Sequence, residues 1–502
     1  MKELVAFLLP PATALAGARI NRLILGKPFD EKFGFGLRFG LGLGVGMLFF
    51  SQTLLLAALA GINLSVFFAW TILLWGAAEA VLLLPKLYVS LKHVSFQRAH
   101  LWLLALLPVL YLAWAIGPAS VLEGTQEFDA NAFWLLRARM LYFEHGREFL
   151  TLIRASNLAS AHMDYPLLVP CLYTLSYGAV GGADEYVIKA WPFWMLAALC
   201  FAILSLGRVW RQPHPAPILL VVFLCFLPAS MQFVLQEGAT LPMVFGTSMA
   251  ALLLVTGLAL GDEMTVAAGV LALAVCATIK FEGIIYVGLW GAVLLFFCRR
   301  RGWWKSRVLW KAGIVAAAFQ VPYFCYRLAK PVLHPASGWM HDGAAAPRAV
   351  LRRLPQTFFL NMGYRFFDLG FFSWKTPDND HLQFAGHWQG LSGFASPELS
   401  VLPWILLLLV TLSFWKKPLY RLVLGAFMAV ILGEFAMLAL VITCLPIMQT
   451  NLSVVIEFAC DIVGRYYYPF FAACFLGTMA LWFLDGRNLP DSATLLQKPE
   501  AV

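Results

Sequence analysis

Residues 39–60 read FGLGLGVGMLFFSQTLLLAALA, with no charged side chain from Phe39 to Ala60. A helix that is apolar on every face has no side to turn to water, and one of this length crosses a hydrocarbon core of roughly 30 Å. The next run, 64 to 85, has the same character. Moving outward, further runs of spanning length fall near 36 to 60, 101 to 118, 190 to 208, 215 to 235, 239 to 260, 264 to 279 and 284 to 298, and then near 308 to 328, 401 to 415, 422 to 445 and 466 to 484. The pattern predicts an all-α polytopic membrane protein of about 11 to 13 transmembrane helices. At the N-terminus, 4 to 18 makes a short run that Pro10-Pro11 should cut further. Ala14-Leu15-Ala16 resembles a signal-peptide cleavage site, but Arg19 and Arg22 follow at once, so an uncleaved first helix is expected.

Composition agrees. Of 502 residues, 61% are hydrophobic and 13% charged, against about 45–50% and about 25% in soluble domains. The formal charge of +9 does not point to nucleic acid, because Lys and Arg cluster in short loops between apolar runs. Nine cysteines lie singly, mostly inside those runs, without CxxC spacing, and read as small core residues. His334, His341, His381 and His387 share one loop without metal-ligand spacing. No metal site is assigned, no cofactor is read from the sequence, and a divalent metal ion is left open.

Residues 1–100 read as N-terminal transmembrane helices, 101–485 as the main membrane domain and 486–502 as a tail. The basic loops at Lys86–Arg98, Arg299–Arg307 and Lys416–Arg421 fall on one side, which the positive-inside rule makes cytoplasmic together with the tail. The opposite side receives two long segments, about 119–189 and about 329–400. In the first, Phe133, Leu136, Met140 and Phe143 recur at helical spacing while Arg137, Arg139 and Glu144 take other positions, so amphipathic interfacial helices are expected. The second is rich in Trp, Pro, Gly and His, with Arg352, Arg353 and Arg365 beside phenylalanines.

Ionisable residues near membrane helices cost roughly 2.5–3.5 kcal/mol each at the helix centre, so their positions are informative. Asp129, Asp164, Glu237, Lys280, Glu282 and Arg465 all reach the outer side in this topology. Carboxylates and cations above apolar helices suit a phosphorylated lipid headgroup whose tail stays in the bilayer. A carboxylate could take a proton from an incoming hydroxyl while cations stabilise a departing phosphate. Glu282 could equally pair with Lys280 or Arg465.

Short segments carry a resemblance. Glu127-Phe128-Asp129-Ala130-Asn131-Ala132-Phe133-Trp134, running into Arg137-Ala138-Arg139, resembles the first outer loop of the C-type (GT-C) membrane glycosyltransferases, which include protein O-mannosyltransferases and the lipid A aminoarabinose transferase. His162-Met163-Asp164-Tyr165-Pro166 resembles the end of that loop, and Glu237-Gly238-Ala239-Thr240-Leu241-Pro242 a helix start that in relatives often reads Ala-Asp-Leu-Pro. Lys280-Phe281-Glu282-Gly283 is similar to a Lys-x-Glu-Gly turn, and Arg465-Tyr466-Tyr467-Tyr468-Pro469 to a late Arg-Tyr-x-x-Pro. The pieces keep the family's order over about residues 100–480. The resemblance implies transfer of a sugar from a polyprenyl-phosphate donor to a glycan, lipid or protein acceptor at the periplasmic face of a bacterial inner membrane. It makes Asp129 the catalytic base, with Lys280, Arg465 and Arg365 toward the donor phosphate and Asp164, Tyr165, Glu237, Glu282 and His162 as further site candidates. Thr240 stands where relatives have an aspartate, so one family carboxylate is missing unless Glu237 replaces it. Two other readings share the composition: an O-antigen ligase or polymerase type of enzyme, using a diphosphate-linked lipid and the 329–400 loop, and a polytopic transporter. No internal repeat or mid-membrane polar group in the sequence favours the transporter.

Overall fold

The structure is a computed structural model, and it describes residues 2–92, 134–144, 146–153, 165–210, 215–226, 238–329, 408–413, 418–443 and 463–485. Among the described residues there is no strand. The chain is an all-α polytopic membrane protein. Helices α1 (Lys2–Leu25), α2 (Lys27–Lys32), α3 (Phe35–Leu59) and α4 (Ser65–Lys92) open it, followed by short helices α5 (Leu136–Phe143), α6 (Gly146–Ile153) and α7 (Leu168–Val180). Then come α8 (Ala190–Val209), α9 (Pro215–Phe226), α10 (Thr240–Leu260), α11 (Glu263–Ala277), α12 (Phe281–Arg301), α13 (Arg307–Ala318) and α14 (Val321–Ala329), and finally α15 (Pro418–Thr443) and α16 (Val463–Asp485). Seven stretches of the described residues are long and apolar enough to cross a membrane: Lys2–Leu25, Phe35–Leu59, Ser65–Pro85, Tyr186–Val209, Thr240–Leu260, Phe281–Arg301 and Arg307–Ala329. These match the sequence expectation closely, while the run at 101–118 lies outside the described residues.

α10 is the hub of the bundle. Every residue from Thr240 to Ala259 is buried, against α8, α11 and α16. Glycine, not charge, brings the helices together, since lipid supplies no hydrophobic force between them. A Cβ at Gly42 in α3 would lie 2.3 Å from the Ala14 carbonyl oxygen of α1, and one at Gly17 would lie 1.9 Å from that of Gly42. α4 approaches α1 in the same way, at Gly76 against Ala12.

α1 departs from expectation, because it runs on through Pro10 and Pro11 to Leu25. A proline cannot donate to the carbonyl four residues earlier, and for Pro11 that is the carbonyl of Phe7. The Trp194 indole N–H of α8 donates to this oxygen at 2.9 Å. A neighbouring helix thus meets the hydrogen-bond demand that the ring creates. The reverse happens at the α13–α14 junction, where the expected single span breaks at Phe319-Gln320, just before Pro322.

The helix ends sort into two opposite sets. At one, Asp30 meets Arg22 at 3.3 Å and Arg38 at 3.7 Å, Lys32 pairs with Asp262, and Arg301 donates to the Leu258 carbonyl at 2.7 Å. The loop at Arg299–Arg307 belongs to this set. At the other, Asn63 donates to the Tyr142 carbonyl at 3.4 Å and the Leu168 amide to that of Thr278 at 3.2 Å. α7 lies across this second end: its start touches Thr278, and near its finish Gly178 abuts the Ser65 backbone. All thirteen residues of α7 are buried, so it caps the bundle beneath α5.

Candidate functional site

The capped end holds Tyr165, Lys280 and Glu282, three of the polar residues singled out in the sequence. α11 ends in a tight turn, with the Ile279 amide bonded to the Cys276 carbonyl at 3.2 Å, and Lys280 leaves it in extended conformation to start α12. Gly283 is required there, since a Cβ would lie 2.0 Å from the Cys276 carbonyl oxygen. The turn therefore presents Lys280, half-buried, and Glu282, 9% exposed, where α11, α12 and the loop segments meet.

An aromatic and cationic ladder leads across this turn. Arg137 of α5, only 1% exposed, lies with its guanidinium carbon 4.5 Å from the Trp134 ring and donates to the Tyr165 carbonyl at 3.4 Å. The Trp134 and Tyr165 rings stand 6.1 Å apart, and Tyr165 meets Phe281 edge-on at 5.2 Å. Arg327 of α14 closes the row, 5.7 Å from the Phe281 ring. The face of α5 is only partly the expected one: Met140 is buried and Leu136 packs against the core, but Arg137, Ala138 and Leu141 also turn inward while Phe143 is exposed. Planar stacking lets a guanidinium take a buried position that a simple apolar-versus-charged reading denies it. Beside it, Arg139 pairs with Glu185, and Thr174 of α7 donates to the Ala138 carbonyl at 3.0 Å.

Of the sequence candidates, the structure brings Tyr165, Lys280 and Glu282 together at this end, and Thr240 begins α10 there. Arg465 belongs to the first turn of α16, whose Phe470 ring lies 5.4 Å from that of Tyr286, one turn below Glu282. Asp129, His162, Asp164, Glu237 and Arg365 lie outside the described residues. No group of three or more His, Cys, Asp or Glu suited to a metal occurs among the described residues.

One residue was missed. Glu434 of α15 is 0% exposed, nine residues from the Thr443 end of its helix, and neither carboxylate oxygen has a hydrogen-bond partner among the described residues. Glu282 Oε2 is likewise buried with no partner among the described residues. Near them, the Tyr286 hydroxyl donates to the Thr247 carbonyl at 3.3 Å. The signal was in the sequence: Glu434 is the one carboxylate in the run 422 to 445. It is also a polar group deep within a span, which the sequence reading did not find.

No known protein family, curated protein or solved structure matches this chain.

Proposed function

We propose that this protein is a membrane glycosyltransferase that takes a sugar from a polyprenyl-phosphate donor at the capped end of its bundle. One observation carries the reading. The described parts of all five motif segments, which are dispersed over more than three hundred residues of sequence, come to the same end: Trp134–Arg139, Tyr165–Leu168, the start of α10, the Lys280–Gly283 turn and the start of α16. Chance placement of short motifs on a polytopic chain would scatter them over both ends.

In this reading the capped end faces the periplasm of a bacterial inner membrane. Asp129 takes the proton of the acceptor hydroxyl as its oxygen attacks the anomeric carbon. The bond from that carbon to the phosphate oxygen breaks, and polyprenyl phosphate leaves with the electron pair. Lys280, Arg465 and Arg365 receive the phosphate charge. The acceptor is a glycan, a lipid or a protein.

The test separates phosphate binding from a structural ion pair. A salt bridge open to water is worth about 0–1 kcal/mol, whereas a charge-assisted hydrogen bond to phosphate contributes about 1.5–3 kcal/mol. Lys280→Ala and Arg465→Ala are expected to weaken binding of a polyprenyl-phosphate sugar about ten- to a hundredfold with little change in thermal midpoint. Asp129→Asn is expected to keep donor binding and lose most turnover, because an amide cannot accept the proton. Unchanged donor affinity in both cation variants, measured in nanodiscs, would refute the reading.

A further inference from the structure

Many of the described glycines have a neighbour's backbone pressed against them, as Gly17, Gly42, Gly178 and Gly283 do. Gly288 and Gly291 of α12, Gly313 of α13 and Gly425 of α15 do not: a Cβ at any of them meets nothing within 4 Å. None has the positive φ that would call for glycine. Glycine in the middle of a helix is destabilising relative to alanine, and among the described residues neither packing nor backbone geometry accounts for it. Around Gly425 lies a groove of about 400 Å³ between α12 and α15, lined by Ala292, Val293, Phe296, Leu422 and Gly425, with Arg421 as its charged wall. The groove is shallow and open on its outer side. The groove lies at the basic end of the bundle, opposite the candidate site, and Arg299 and Arg300 are exposed in the last turn of α12.

We propose that this groove binds an anionic phospholipid, with one acyl chain along the wall that Gly425 and Ala426 line and the phosphate against Arg421. An apolar trough ending in arginines at one membrane surface complements a lipid of negative headgroup. A second copy of the chain fits less well, because a two-fold contact through this face would set Arg421 against its own counterpart. Glycine keeps the trough open, and the arginine selects the headgroup.

The full chain, purified in detergent, is titrated with phosphatidylglycerol or phosphatidylcholine, and retained lipid is counted by native mass spectrometry alongside the thermal midpoint. Phosphatidylglycerol is expected to bind about fivefold more tightly than phosphatidylcholine, the effect of one nearby cation. Arg421→Gln should remove that preference. Gly425→Leu should abolish the tightest binding while leaving the protein folded, since its side chain enters empty space. Equal binding of the two lipids by the wild type, or an unchanged phosphatidylglycerol preference in Arg421→Gln, would overturn the proposal. So would a dimer that Gly425→Leu dissociates without any lipid effect. Should Gly425→Leu fail to fold, the Arg421→Gln comparison decides alone.

Discussion

At the scale of single residues, Glu434 is the position that ordinary packing rules explain least. A buried polar group with no partner costs about 1–3 kcal/mol, and neither of its oxygens has one among the described residues. Residues that break a local rule at such cost concentrate at working sites. Glu434→Leu is therefore expected to raise the thermal midpoint in detergent by the equivalent of about 1–3 kcal/mol and to lower turnover in membranes. A lowered midpoint would mean that the carboxylate has a partner after all; unchanged turnover would make it a bystander. Gly283 makes the opposite case. Its place in the Lys280-Phe281-Glu282-Gly283 segment was legible, but its reason was not, because only the fold shows the Cys276 carbonyl against it. Arg137 was misread for a related cause. Periodicity treats every arginine as water-seeking, and the Trp134 face that holds it is a contact no spacing rule contains.

At the scale of elements, the long apolar runs were readable almost to the residue, because a span of this length and composition has one low-cost conformation in lipid. Prolines were not readable, since their effect depends on which neighbour satisfies the carbonyl they leave. Pro10-Pro11 were expected to end a helix and instead lie inside one, whereas Pro322 follows a break that was not expected. The explanation at Pro11 can be tested by a double-mutant cycle. Trp194→Phe keeps the ring and removes the donor to the Phe7 carbonyl, and is expected to cost about 1–3 kcal/mol. Pro11→Ala restores a backbone N–H for that same oxygen. In the Pro11→Ala background, Trp194→Phe should cost close to nothing, measured by thermal or denaturant unfolding. Equal costs in both backgrounds would show that the indole acts through packing alone.

At the scale of the whole molecule, sorting of loops into two sets was legible from charge, and the helix ends segregate accordingly, with Arg22, Lys32, Arg38 and Arg301 at one end and Tyr165 and Lys280 at the other. By the positive-inside rule the basic end is expected to face the cytoplasm. Tyr186, 44% exposed, precedes α8 at the capped end, and Trp304, 46% exposed, stands in the basic loop. In a cysteine-free background, Tyr186→Cys should react with an impermeant maleimide in spheroplasts, and Trp304→Cys only after permeabilisation. The reverse pattern would invert the protein and remove the periplasmic site. That the five motif segments share one side was legible from the topology, but which of them touch was not, because contact between distant segments depends on helix order in the bundle, and no local pattern encodes it.

The indole that reaches α1 also bears on how the chain is made. Phe7 and Trp194 are 187 residues apart, so the first helix leaves the ribosome long before α8 exists. Until then α1 lacks the indole that its Phe7 carbonyl accepts from, while α3, which fits it glycine to glycine, and α4 arrive earlier and pack against it. The N-terminal helix is thus lodged early by its neighbours in sequence, and its proline-freed carbonyl is satisfied only when the middle of the protein has been synthesised. A nascent chain arrested before α8 should be open to the quality-control proteases of the membrane in a way that one arrested after it is not.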